Sequence, residues 1–224
     1  MMLLDVSNGM KKFLGCLVLF LSSSLFTPVL SQVKFGPLIG VNVSRFNYTS
    51  DNSLIELRDI SSVAMMKLGA IVRYEPTTKI SLQSGLCYSG MGSDFYLYNR
   101  GYATKSTIIS TRLNYLSVPV ELHYTAVDKA TKISGMAGLD FNVLAFATTN
   151  NEGDKSYRKF DPALRFGSQI MFPIGLGLRF DYSLGLSPAI NNLGRYGEYN
   201  LEFKNKNRVL GISVLWLFGG TGVI

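Results

Sequence analysis

From Leu176 to Leu186 every second residue is apolar: Leu176, Leu178, Phe180, Tyr182, Leu184 and Leu186. Gly177, Arg179, Asp181, Ser183 and Gly185 fall between them. Successive side chains of an extended chain point to opposite faces, so this segment predicts a strand with one apolar face and one small or charged face. The same alternation runs through Val33–Phe46, Met65–Tyr74, Ile80–Ser89, Leu113–Thr125, Thr131–Leu144, Leu164–Phe172 and Arg208–Phe218. Most of these segments span about nine to thirteen residues, which suits strands that cross a bilayer at a tilt. Pro119 lacks an N–H, so a bulge or local irregularity is expected where it interrupts the fourth segment.

The connections alternate too. Glu75–Lys79, Ala126–Ala130 and Pro173-Ile174 are short. Asn47–Ala64, Gly90–Arg112, Ala145–Ala163 and Leu186–Asn207 are long and rich in Asn, Gly, Ser, Tyr and charge. This rhythm predicts an all-β fold, an eight-stranded antiparallel up-and-down transmembrane β-barrel with short periplasmic turns and long extracellular loops. Both termini then face the periplasm. Closing the sheet gives every backbone group a partner without water.

A soluble barrel that encloses a ligand has the same strand pattern with the apolar face turned inward. Charge decides between the two. The polar face carries Lys67, Arg73, Lys132, Arg165 and Arg179 together with Glu121, Asp140 and Asp181. Inside a narrow lumen these signs can neutralise one another, whereas a charge on a lipid-facing wall costs about 2–4 kcal/mol at mid-depth. The apolar face is therefore expected to meet lipid. Phe35, Tyr74, Tyr124, Phe172, Trp216 and Phe218 then form an aromatic girdle at the short-turn end, with Tyr88, Phe141 and Tyr182 near the opposite rim.

Composition narrows the class further. The 224 residues include 22 glycines, and only 17% are charged. With 12% aromatic residues the chain has far more burial to gain than a disordered one. Lys11 and Lys12 precede an apolar run from Phe13 to Phe26, predicting a secretory signal peptide over residues 1–31, cleaved after Ser31, and a barrel domain over 32–224. Cys16 does not mark a lipoprotein, because the apolar run follows it instead of preceding it. Cleavage leaves Cys87 as the sole cysteine, so no internal disulfide is expected. One histidine and two distant cysteines do not make a zinc cage, and neither metal nor cofactor is expected. The net charge of +7 is scattered without a basic stripe, which argues against a nucleic-acid partner.

Phe35-Gly36-Pro37-Leu38-Ile39-Gly40-Val41-Asn42, Tyr115-Leu116-Ser117-Val118-Pro119-Val120 and Gly211-Ile212-Ser213-Val214 together resemble the PorT-like outer-membrane β-barrel family. That resemblance spans Val33–Phe218 and implies an eight-stranded outer-membrane barrel, leaving activity open. Members often carry a glutamate where this chain has Ser117; Glu121 lies further along the same face.

Acyl transfer or hydrolysis needs a base such as His beside a nucleophile. The only histidine, His123, falls beside the Ala126–Ala130 turn with its side chain in the lumen, where a hydrogen-bonded structural role is expected. An eight-stranded lumen is filled by its own side chains, so no wide channel is expected either. The remaining candidates are the long loops, whose Tyr96, Tyr98, Arg100, Tyr102, Arg195, Tyr196 and Tyr199 are of the types favoured at binding surfaces. The expected role is structural or surface-interacting and non-enzymatic, with outer-membrane lipid, lipopolysaccharide and a loop-bound protein as partners. A component or accessory of a protein-secretion system is the alternative, followed by a lipid-modifying enzyme.

Overall fold

The computed structural model describes residues 32–50, 55–99, 108–150, 156–192, 195–196, 199–200 and 203–219. In chain order the strands are β1 (Val33–Ser50), β2 (Ile55–Tyr74), β3 (Ile80–Asn99), β4 (Ile108–Asp128), β5 (Lys132–Thr149), β6 (Ser156–Tyr157), β7 (Phe160–Met171), β8 (Leu176–Gly185), β9 (Ile190–Asn192), β10 (Arg195–Tyr196), β11 (Tyr199–Asn200) and β12 (Phe203–Trp216). Eight of them, β1–β5, β7, β8 and β12, pair antiparallel in sequence, and β1 pairs with β12 to close the sheet. The expected eight-stranded barrel is therefore present, with no helix among the described residues.

The hydrogen-bonding direction can be followed around the wall from Lys34 through Arg73, Gln83, Glu121, Gly138, Arg165, Ser183 and Val209. It returns to β1 at Ser44, ten residues above its start. A sheet closed with such a stagger must tilt its strands to the axis, which suits a bilayer-spanning wall.

The strands are longer than the alternation suggested. β1 to β5 run 18 to 21 residues, whereas β8 has only 10. Much of the expected Gly90–Arg112 loop is a β3–β4 hairpin continuing beyond the apolar belt. β3 and β4 keep one register through it, and bulges fall on neighbouring strands instead, on β2 between Arg58 and Ser61 and between Ser62 and Lys67, and on β5 between Leu144 and Phe146. Each bulge flips the side-chain parity that follows it. On β5 this turns both Leu144 and Ala147 toward the interior while Phe146 stands outside.

At Pro119 the expected irregularity is a gap in pairing and not a bulge. β4 keeps its register with β5 through Pro119, and pairing with β3 resumes unshifted after a gap over Val118 and Pro119. The short connections do form, and the β7–β8 turn requires Gly175, whose φ of 81° lies in the left-handed region.

Face assignment follows the charge argument. Ile39, Leu82, Leu116, Val120, Leu122 and Ile212 stand on the outer wall, each around half exposed, while the alternate positions are buried inside. The ligand-enclosing arrangement is excluded. The interior is itself divided. Leu38, Ile71, Cys87, Leu215 and Leu217 make an apolar cluster on the β1, β2, β3 and β12 side. Most buried charged residues occupy the facing β4, β5, β7 and β8 side, with Lys67 and Arg73 contributed by β2. Toward the long-loop end Phe46, Met91, Leu113, Tyr115 and Val209 form a second apolar cluster, closed by Ala189 and Ile190. Those two come from the segment after β8, which folds into the mouth through bonds from Ala189 N and Ile190 N to Asn205.

Candidate functional site: the charged lumen

Glu121 is the centre of the ionic half. Its carboxylate accepts from Arg179 Nη1 at 2.9 Å and also from Arg179 Nη2, and from Arg165 Nη1 at 3.3 Å. Gln83 Nε2 donates to it at 3.3 Å, and His123 Nε2 lies at the same distance. Asp181 pairs with Lys67 at 3.2 Å, with Arg179 at 3.1 Å and with Arg165 at 3.6 Å. Arg165 also grips Asp140. Lys67 reaches this cluster from β2, across the lumen from β8.

All six charged groups are buried, three cations against three carboxylates. Withdrawing an ion from water costs several kcal/mol, and only close pairing with satisfied hydrogen bonds offsets it. A balanced cluster meets that condition; an odd charge does not.

Glycine supplies the room. Gly138 stands in register between Glu121 and Arg165, and Gly167 and Gly211 flank Asp181. A Cβ on Gly138 would come within 2.2 Å of the Val120 carbonyl, so this close approach of strands needs the bare backbone. The glycine-rich polar face of the sequence thus reflects large charged side chains lying over small neighbours.

Of the eight charged residues expected to share a lumen network, Lys67, Glu121, Asp140, Arg165, Arg179 and Asp181 meet. Two do not. Arg73 lies toward the short turns, bonding Ser81 Oγ at 3.0 Å and Glu75 at 3.2 Å. Lys132 begins β5 at the turn and pairs with Asp128 at 3.0 Å, half-exposed. Alternation reports the face of a residue and not its depth, so strand-end residues were grouped with central ones.

A polar relay that the sequence reading does not include lies on the long-loop side. Asp161 accepts from Asn207 Nδ2 and from Ser187 Oγ at 3.3 Å, while Asn142 Nδ2 donates to its main-chain carbonyl at 2.9 Å. Ser117 Oγ donates in turn to Asn142 Oδ1. Phe160, Pro162 and Leu164 alternate ahead of the expected strand start, and extending that run would have placed Asp161 inside.

On the outer wall Phe35, Tyr124, Phe172, Trp216 and Phe218 are exposed at the short-turn end and Tyr74 is half-buried. Trp216 and Phe218 approach with centroids 4.8 Å apart, Phe35 and Phe218 at 6.5 Å, and Trp216 Nε1 donates to the Ile174 carbonyl at 3.0 Å. Tyr88 and Phe141 lie mid-strand instead of at a rim, because β3 and β5 continue past them. Arg100 and Tyr102 lie outside the described residues, as does segment 1–31. Tyr96 and Tyr98 extend β3, and Arg195, Tyr196 and Tyr199 form the β10–β11 pair.

A closed antiparallel barrel with a lipid-compatible exterior and a neutral, ion-paired interior defines a membrane-spanning β-barrel protein. Residues 22–191 match the family described as Outer membrane protein beta-barrel domain, and the chain belongs to it. It is an integral protein of the Gram-negative outer membrane. Among solved structures, OprG from Pseudomonas aeruginosa is similar at 9% identity, with a TM-score of 0.54, covering 84% of this chain and 95% of that one. Ail, the attachment invasion locus protein of Yersinia pestis, is similar at 15% identity and a TM-score of 0.43, covering 84% and 99%. No curated protein sequence matches the chain.

Proposed function

We propose that the protein is a non-enzymatic outer-membrane barrel whose role is structural or surface-interacting and is carried by its long-loop end. The observation behind this reading is the filled interior. Paired charges and two apolar clusters occupy the lumen, and Ala189 and Ile190 close its long-loop mouth, leaving the outward surfaces for recognition at that end. β2, β3 and β4 run 20, 20 and 21 residues and form the tallest part of the wall, which favours contact beyond the membrane. In this reading residues 1–31 direct export, both termini are periplasmic, and the loops meet lipopolysaccharide or a protein. A component or accessory of a protein-secretion system is the second reading; the likeness of Tyr115–Val120 to PorT-like barrels implies the barrel and leaves the activity open.

The test replaces residues 98–109 and 193–202 by short turns and purifies full and trimmed chains from native outer membrane. Loss of lipopolysaccharide or protein partners from a trimmed but correctly assembled barrel supports the reading. Identical partners in both preparations overturn it, and partners drawn from a secretion machine select the second reading.

A further inference from the structure

The short-turn mouth of the barrel opens into a cavity of about 310 Å³. That volume lies at the lower end of the roughly 300–1,000 Å³ typical of small-molecule sites. Lys34, Arg73 and Lys132 line it, and Glu75 is its only carboxylate among the described residues. Glu75 is shared, taking Lys34 at 2.8 Å and Arg73 at 3.2 Å. The acid that pairs with Lys132, Asp128, is not part of the wall. Three cations therefore face one carboxylate in the wall, and with Asp128 beside Lys132 counted the mouth keeps a net excess of one positive charge.

Arg73 sharpens the point. Its side chain is buried, Nε is committed to Ser81, and Nη1 has no partner in the protein. A buried donor without an acceptor costs about 1–3 kcal/mol, more when charged, so this guanidinium is set up for an oxygen from elsewhere. An anionic oxygen bonds it more strongly than a neutral one.

We propose that this mouth binds a small phosphate monoester. Such a group carries a charge of about −1.5 to −2 at neutral pH, so this net-positive mouth attracts it. Arg73 takes the phosphate oxygens, Lys34 and Lys132 add charge at the rim, and the hydroxyl of Ser134 and the apolar side of Met171 meet the organic part. The orientation proposed above makes this a periplasmic site; the binding itself does not depend on that orientation or on the loops. A phosphatidic acid headgroup is a second source of the same monoester chemistry.

The experiment follows amide resonances of the whole barrel in a non-ionic detergent during titration with glycerol phosphate, and separately with a short-chain phosphatidic acid, whose headgroup is also a phosphate monoester. Saturable shifts centred on Ser81 and Ser134 are expected with glycerol phosphate, weakening as salt screens the charges. Arg73→Gln should raise Kd roughly tenfold, and Lys132→Gln several-fold, through loss of charge-assisted bonds and local potential. Saturation by the lipid alone keeps the site and assigns its source to the membrane. No saturable shift with either probe, or unchanged affinity in both variants, overturns the proposal. Should Arg73→Gln fail to assemble, the rim pair Lys34→Gln and Lys132→Gln carries the test, and unchanged affinity there overturns it. Failure on any of these grounds leaves the loop-trimming result untouched.

Discussion

Gly211 faces Asp181 directly across the β8–β12 ladder, and a Cβ added to it would lie 2.7 Å from Asp181 Oδ2. The carboxylate cannot step aside freely, because Lys67, Arg179 and Arg165 hold it. Overpacking a filled interior typically costs about 1–3 kcal/mol. Gly211→Ala is expected at the lower end of that range and Gly211→Val at or above the upper end. Gly135 supplies the control, since a Cβ there meets nothing within 4 Å. Gly135→Ala should be neutral or stabilising by up to about 1 kcal/mol through the unfolded chain. Denaturant unfolding in phospholipid vesicles measures all three. Equal effects at Gly135 and Gly211 would show that glycine is not making room for Asp181.

The second prediction concerns the balance of the cluster. Glu121 is the carboxylate that both Arg165 and Arg179 bond. Glu121→Gln leaves two buried guanidinium groups sharing fewer anions, which should destabilise the barrel by about 3–5 kcal/mol. Pairing Glu121→Leu with Arg179→Met removes one charge of each sign. This double variant should be the more stable of the two, because it leaves no odd charge. The comparison is made by vesicle unfolding at fixed lipid composition. A double variant at least as unstable as Glu121→Gln would mean that cavity formation, not charge imbalance, governs the interior.

Strand parity was legible in the sequence because one face of the wall must be apolar wherever lipid touches it. Leu176–Leu186 shows this most cleanly, and Arg179 and Asp181 fall on the inner face as their alternation requires. Depth was not legible. Lys132 and Asp140 share a parity, yet one pairs at the exposed turn and the other meets Arg165 in the interior. Nor was the apolar half of the lumen, because Leu38, Ile71 and Leu215 interrupt the polar positions and only the closed sheet brings them together. On β2 and β5 bulges hid the extensions, because they break the period while leaving the ladder intact.

A third prediction tests which wall meets hydrocarbon. Leu116, Val118, Val120, Leu122 and Tyr124 form the outward row of β4, and Val120 is its middle residue. Val120→Arg should cost about 2–4 kcal/mol in a bilayer, and Tyr124→Arg at the girdle only about 0–1 kcal/mol. The gradient matters more than either value. A uniform cost along the row, measured by unfolding in vesicles, would be inconsistent with a membrane centred on Val120.

The last prediction lies beyond the apolar belt, on the tall β3–β4 hairpin. Arg112 Nη1 and Nη2 donate to Asp94 at 2.6 and 3.2 Å, and these bonds hold the Asp94 carboxyl below its ordinary pKa. A depressed carboxylate stabilises the fold above its unfolded pKa of about 3.9, and that contribution disappears as pH falls through the lower folded value. Both side chains are about 30% exposed. Solvent screening therefore limits the pair to about 1 kcal/mol or less. Arg112→Gln should open the hairpin end slightly more easily at neutral pH, with no difference from the parent in strong acid. Amide exchange around Gly92, Asp94 and Ser110, followed from neutral to acidic pH in both proteins, reads this directly. A gap between them that widens in acid would mean that Arg112 acts through something other than the ionised Asp94.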